Sequence, residues 1–452
     1  MPAKQTGSKR SAAATSASTK STARTNAKKS AAKKSAARTK SAAKKKSAGK
    51  KSAATKKPAE KKKSAAKSSS AKKTAGTKAA PRQGPATLPK TEHIDGVLIV
   101  GGGYAGVHAA TKVRCAGQPV TIVAPTGRHD FVTRLAGVAG ATVPASDAST
   151  SLDGYASDVI EASMIAAADG SVTLDDGRTL TADAVVITAG ARPIAPPIPG
   201  LEHALPLRTA EDALTLRERI AHVDSLVIIG GGATGVQLAG SAAHRYSSLD
   251  VTIVDGADEL LSTMGASSRR DAARILDQRS VRVVLGELVE SIDADGATVA
   301  GEHLPGLVVW AAGFEARADE FGLPSDDAGA ISVGAYLLVD GWSHTFAAGD
   351  VASHLDADGD PLPASAQIAV QAGDGAGENA LRLLAGEPLR DVELVHRGWV
   401  LDLGGYRGLA EFGLLALTAP FFDLLPPLLH WGIDVRHLVE TRGVAGLGDL
   451  PG

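Results

Sequence analysis

The sequence predicts an α/β protein with two parallel-sheet units, preceded by a long basic tail that builds no core. Three observations carry this. The 452 residues hold 49 Lys and Arg against 49 Asp and Glu, yet residues 1–90 contain 27 of the basic residues and a single acid, Glu60. From Gly96 onward, short β-branched runs alternate with Ala-rich helical stretches, the pattern of parallel sheets covered by helices. One glycine-rich turn occurs twice, at Gly101 and Gly230, each time between a strand and a helix.

Apart from Met1, the first large apolar residue of the tail is Leu88, so nothing there offsets the entropy of ordering the backbone. Its KKSAA-type units (Lys33–Ala37, Lys50–Ala54, Lys62–Ala66) recur at irregular spacing, which argues against a folded repeat. Pro81–Lys90 reads as a linker. The polycation has three chemically reasonable partners: an anionic membrane surface, nucleic-acid phosphates bound without sequence preference, or its own acidic body. No apolar run follows the basic N-terminus, so no secretory signal is expected. A lone cysteine, Cys115, excludes a disulfide scaffold, a cysteine-rich zinc site and a redox-active pair. No His/Asp/Glu cluster has metal-ligand spacing, so no metal is expected.

In the body, strand Val97–Val100 runs into Gly101-Gly102-Gly103-Tyr104-Ala105-Gly106, followed by a helix (Val107–Ala116) and strand Val120–Val123. This is G-x-G-x-x-G in strand–turn–helix–strand context, a Rossmann-like dinucleotide turn. The first glycine makes the turn, the second lets a pyrophosphate approach the backbone, and the third lets helix pack on strand. The second copy is strand Leu226–Ile229, the turn at Gly230, Gly232 and Gly235, a helix to about His244, and strand Val251–Val254 ending in Asp255. A carboxylate there accepts hydrogen bonds from a ribose diol. With no arginine beside it to welcome a 2′-phosphate, NAD(H) is favoured over NADP(H). The first copy ends in Ala124-Pro125 instead, with Arg128 either contacting a nucleotide or simply lying on the surface.

Four further motifs follow in order: strand Ala184–Thr188 into Ala189-Gly190-Ala191-Arg192-Pro193; Val308–Phe314 with Gly313; Thr345–Ala352 with Gly349-Asp350; and Ala366-Gln367-Ile368-Ala369-Val370-Gln371. Together with the two turns, they resemble the two-dinucleotide-binding flavoprotein oxidoreductases, and within them the type II NADH dehydrogenases (NADH:quinone oxidoreductases). The resemblance covers roughly residues 94–400. It implies two Rossmann-like domains, an NAD(H) domain (208–317) inserted in an FAD domain (91–207 and 318–390). Residues 391–452 form a C-terminal segment for membrane-interface or dimer contact.

The resemblance also implies an FAD site of Gly101, Gly103, Tyr104, Ala105, Gly106, Arg128, Ala189, Gly190, Gly349 and Asp350, with Asp350 on the ribityl chain. NAD(H) would meet Gly230, Gly232, Gly235, Asp255 and Gly313. Gln367 and Gln371, at i and i+4 on one helix face, can hydrogen-bond a quinone carbonyl or form a solvated polar face. Gln237 stands where the family carries a glutamate, and Val132-Thr133-Arg134 replaces its usual proline position. Tyr104 packs either on flavin or between helix and sheet, and His108 and His129 read as structural. Leu409–Ile433 is apolar but broken by Pro420, Asp423, Pro426 and Pro427, so it is no spanning helix. It reads as core, dimer interface or an interfacial segment.

The expected function is hydride transfer from NADH to FAD and onward to a quinone-like acceptor, in the cytoplasm or peripheral on the inner face of the cell membrane. The alternatives are a polyanion-binding redox-sensing flavoprotein and an NADH-dependent reductase of a protein electron carrier.

Overall fold

The computed structural model describes residues 90–316, 318–413, 415–417 and 425–443. The tail expected at 1–90 lies outside them except for Lys90, as does the middle of the apolar run.

The first sheet opens with six strands, of which the first and sixth, the longest, end in fully buried runs, as parallel strands covered on both faces do. They are β1 (Thr91–Val100), β2 (Val120–Ala124), β3 (Asp158–Glu161), β4 (Met164–Ala168), β5 (Ser171–Leu174) and β6 (Thr179–Ile187). Their order is β3-β2-β1-β6-β5-β4, parallel from β3 to β6, with an antiparallel β4–β5 hairpin at one edge. Helix α1 (Tyr104–Cys115) joins β1 to β2. It starts at Tyr104, inside the glycine turn, three residues ahead of the helix expected from the sequence.

After Ile187 the chain leaves this sheet, and it returns at β11 (Thr345–Ala347), which pairs in parallel with β6 (Thr345 opposite Val185). The excursion contains the second sheet. Helix α2 (Ala210–Ile220) opens on a capping box between Thr209 and Asp212. Then come β7 (Ser225–Ile229), α3 (Ala233–Arg245), β8 (Asp250–Asp255), α4 (Ala266–Asp277), β9 (Arg282–Leu285) and β10 (Leu307–Trp310). The order is Leu205–Pro206, β10, β7, β8, β9, parallel throughout. The insertion of one dinucleotide fold in another is thus a property of the strand pairing. The β4–β5 hairpin is absent from the sequence reading because its strands are short and half-exposed.

Helix α5 (Ala366–Leu384) lies against α1. A side chain at Gly373 would strike the Ala105 carbonyl and one at Gly377 the Ala109 carbonyl, so the two helices meet backbone to backbone. Beyond α5 comes an antiparallel meander of β12 (Trp399–Asp402), β13 (Gly408–Phe412) and β14 (Leu415–Leu417). Its Leu401, Leu403 and Leu409 are buried in the core of the second sheet, and Glu411 accepts the Gly265 N–H at the start of α4. The last helix, α6 (Leu425–Arg442), turns back onto the first sheet: the Thr441 carbonyl accepts hydrogen bonds from Thr111 (3.3 Å) and Arg114 (2.9 Å) of α1. The start of the apolar run is therefore core, because Leu409 is fully buried. Leu428, Trp431 and Ile433 at its end are exposed on α6.

Candidate functional site

Both glycine turns have the same internal geometry. A Cβ on Gly101 would strike the Thr188 carbonyl, and one on Gly106 the Gly101 carbonyl. At Gly230 and Gly235 the obstacles are the Ala311 and Gly230 carbonyls. At the middle positions, Gly103 and Gly232, a Cβ would meet nothing within 4 Å. The middle glycines thus face open space at the N-termini of α1 and α3, and neither helix has a capping side chain or an acid in its first turn. Free N–H groups, the positive end of a helix and room for a backbone approach are what a pyrophosphate requires.

Asp255 closes β8 beside the second turn, where its carboxylate accepts the Gly231 and Ala257 N–H groups. It therefore fixes the turn. Arg128, beside the first turn, is turned away onto Ser149, donating to its Oγ at 2.8 Å and its carbonyl at 3.0 Å.

Asp350 is paired with Arg208, 2.8 Å away, and Arg208 also lies over the Phe314 ring and alongside Gly190. Four expected positions (Gly190, Gly313, Gly349 and Asp350) thus gather around an arginine the sequence reading did not single out. Next to them the Gly349 N–H donates to His354 Nε2 at 3.1 Å. That bond leaves the His354 proton on Nδ1, a buried donor with no partner among the described residues. Burial lowers the His354 pKa to about 4. An unused buried donor beside an aspartate and the first glycine turn, whose Ala105 a Cβ on Gly349 would meet at 3.0 Å, fits a site built for a flavin dinucleotide.

Gln367 and Gln371 share one face of α5, and both amides bind backbone. Gln367 accepts the Arg397 N–H (2.8 Å) and donates to the Gly398 carbonyl (2.6 Å). Gln371 accepts the Val395 N–H (3.1 Å) and donates to the Val395 carbonyl (3.0 Å). Together they hold segment 395–398 along the helix. Gln237 on α3 accepts the Asp402 N–H at 3.2 Å and, with Thr133, Arg134, Gly137, Val143, Asp402 and Trp431, lines a small cavity of about 40 Å³.

A chain of buried imidazoles adjoins the first turn. The Gly102 carbonyl can only accept, so His129 Nδ1 donates to it at 2.8 Å. His129 Nε2 then accepts from His437 Nε2 (3.1 Å), and His437 Nδ1 from His108 Nε2 (3.0 Å). His108 Nδ1 faces Asp374 Oδ1 at 3.2 Å. Burial lowers the His129 pKa to about 4, and burial together with both neighbouring imidazoles lowers that of His437 to about 2. Tyr104 is buried against this chain, its ring on His129 and His437 and its hydroxyl 3.0 Å from Thr133. Burial, with the Asp434 charge second, raises its pKa. Arg134 holds Asp147 (2.7 Å) and Asp434 of α6 (3.1 Å), all three nearly buried. His129 and His108 are both buried in this chain of imidazoles. His437, Asp434 and Arg208 carried no sequence signal, because their partners lie far away in the chain. Among the described residues, no group of His, Cys, Asp and Glu is arranged to hold a metal.

Residues 95–373 match the pyridine nucleotide-disulphide oxidoreductase family. The chain belongs to that family. Disulphide chemistry needs two cysteines, and this member has only Cys115, exposed at the end of α1. It is 30% identical over 243 residues to a demethylphylloquinone reductase of Synechocystis, a match covering 50% of this chain and 60% of that relative. The chain thus spans about three fifths of that relative's length. To the type II NADH:quinone oxidoreductase of Staphylococcus aureus it is 25% identical over 397 residues, 77% of this chain and 96% of the relative. The structure of NDH2 from Plasmodium falciparum in complex with NADH superposes with a TM-score of 0.66 at 15% identity, covering 79% of this chain and 97% of that one, and shares its fold. As a member of this family the chain is an oxidoreductase with sites for FAD and NAD(H).

Proposed function

We propose that the protein is an FAD-dependent NADH dehydrogenase that passes electrons to a quinone-like acceptor. One observation carries the reading: a single chain holds two open glycine cradles, each at the carboxyl edge of its own parallel sheet, and Asp255 marks the second for NADH. Bound FAD would supply a two-electron acceptor for hydride and a one- or two-electron donor for the acceptor.

The chain's own residues bind and orient. Gly103 and the α1 N-terminus would hold the FAD pyrophosphate, and Gly349 and Asp350 the ribityl side, with Arg208 balancing the carboxylate. Gly232, the α3 N-terminus and Asp255 hold NADH. Gln367 and Gln371 act as positioning residues, fixing segment 395–398 beside the site, and Gln237 anchors β12 through Asp402. The quinone acceptor is supported by the named activity of the Staphylococcus relative. Among the described residues no helix is long and apolar enough to cross a membrane. The exposed Leu428, Trp431, Ile433 and Val439 of α6 support a peripheral position on the inner face of the cell membrane.

The test is anaerobic mixing of the protein with NADH while flavin absorbance is followed, then addition of a short-chain quinone. Bleaching by NADH, little by NADPH, and return of colour with quinone are expected. A colourless protein that cannot be reconstituted with FAD would refute the proposal.

A further inference from the structure

The two dinucleotide units can be laid on each other strand by strand, and one difference stands out. In both, the first glycine follows the strand directly and donates its N–H to the penultimate residue of the next strand: Gly101 to the Val123 carbonyl, Gly230 to the Val254 carbonyl, both at 2.8 Å. The last residues of those strands, Ala124 and Asp255, are therefore equivalent. Asp255 has a carboxylate for a ribose, whereas Ala124 has only a methyl group, buried at 2% exposure.

The neighbouring strand reverses the pattern. In the NAD(H) unit, Asp255 of β8 is paired with Leu285 of β9. In the FAD unit, Ala124 of β2 is paired with Glu161 of β3. Parallel partners in register stand one strand spacing apart, about 4.8 Å, with side chains on the same face of the sheet. The acid missing from the end of β2 thus reappears one strand over, at the end of β3.

Glu161 is solvent-exposed, and its carboxylate lies against the turn that follows β2. A Cβ on Gly127 would stand 2.6 Å from Glu161 Oε1, so in this conformation the carboxylate lies directly against the backbone of the turn. Gly127 has φ +58°, which also favours glycine. The one cation on the loop, Arg128, is committed to Ser149 rather than to Glu161. The carboxylate is therefore an available acceptor at the carboxyl edge of the sheet, against a loop whose Arg128 carbonyl a Cβ on Gly102 of the first turn would meet at 3.2 Å.

We infer that Glu161 binds the adenosine ribose hydroxyls of FAD, replacing the carboxylate that β2 lacks. This assignment rests on the flavoprotein reading above and adds a contact to it. It also makes the ribose site selective: a carboxylate accepts from a diol and repels a phosphorylated ribose.

The experiment measures binding of FAD and of FMN, which has no adenosine, to the full-length apoprotein by quenching of flavin fluorescence. Parent, Glu161→Ala, Glu161→Gln and the double variant Ala124→Asp/Glu161→Ala are compared. Both Glu161 variants should weaken FAD by about tenfold to a hundredfold, as loss of charge-assisted hydrogen bonds does, and leave FMN unchanged. The double variant, with the acid moved back to β2, should recover most of the FAD affinity. NADH affinity at the Asp255 site reports that the variants are folded. Unchanged FAD affinity in Glu161→Ala, or equal weakening of FAD and FMN, overturns the assignment while leaving the flavoprotein reading standing. A folded parent that binds neither flavin overturns both.

Discussion

Three of the buried histidines make the folded state acid-labile in a calculable way. His129, His437 and His354 are each under 9% exposed, with pKa values lowered from 6.5 to about 4, about 2 and about 4 respectively. The folded values lie below the unfolded ones, so the unfolded chain binds more protons below pH 6.5. Stability is complete above that pH and falls as pH drops toward the folded values. Each group contributes a slope of about 1.4 kcal/mol per pH unit in that window. Three together amount to about 6 kcal/mol by pH 5, comparable with the whole stability of an ordinary domain. The assay is urea unfolding followed by circular dichroism at pH 7.5, 6.5, 5.5 and 5.0. His437→Phe keeps a ring against Tyr104 but leaves His129 without its donor, so it should be less stable at pH 7.5 by about 1–3 kcal/mol. Its slope between pH 6.5 and 5 should be shallower than the parent's by about 1.4 kcal/mol per unit. A parent whose stability is flat from pH 7.5 to 5, or a variant with the parent's slope, would refute the reasoning.

Other outcomes follow from the same geometry. Arg134→Met strips the partner from two nearly buried carboxylates, Asp147 and Asp434, and should cost about 3–5 kcal/mol at pH 7.5 in the same unfolding assay, with part regained in acid. Asp255→Ala should weaken NADH by about 1.5–3 kcal/mol in equilibrium titration, with flavin content unchanged; equal affinity would disprove the placement of the ribose. Replacing Gln367 and Gln371 by Leu should speed amide exchange across residues 395–398 and slow reoxidation by quinone more than reduction by NADH. Removing residues 1–89 should leave melting temperature and flavin spectrum nearly unchanged while abolishing salt-sensitive binding to anionic vesicles and heparin. Residual binding to neutral vesicles would point to the exposed apolar residues of α6.

What the sequence determined by itself is local. Gly101, Gly106, Gly230 and Gly235 are legible because neighbouring carbonyls forbid any side chain, and the strands around them because β-branched runs have no other place to be buried. Asp255 is legible because the acid and its turn belong to one β–α–β unit. The insertion was legible only through the order of the motifs; its physical cause is the pairing of Thr345 with Val185. Tertiary structure decided the rest. That Glu161 stands beside Ala124 depends on strand register, which carries no mark in either segment alone. His437 meets His108 and His129, and Asp434 meets Arg134, only because α6 returns across the first sheet. Arg208 finds Asp350 because the chain leaves β6 and re-enters at β11. The contacts of α6 and of Arg208 join residues more than a hundred positions apart, where the identity of each partner is set by packing rather than by any local conformational preference.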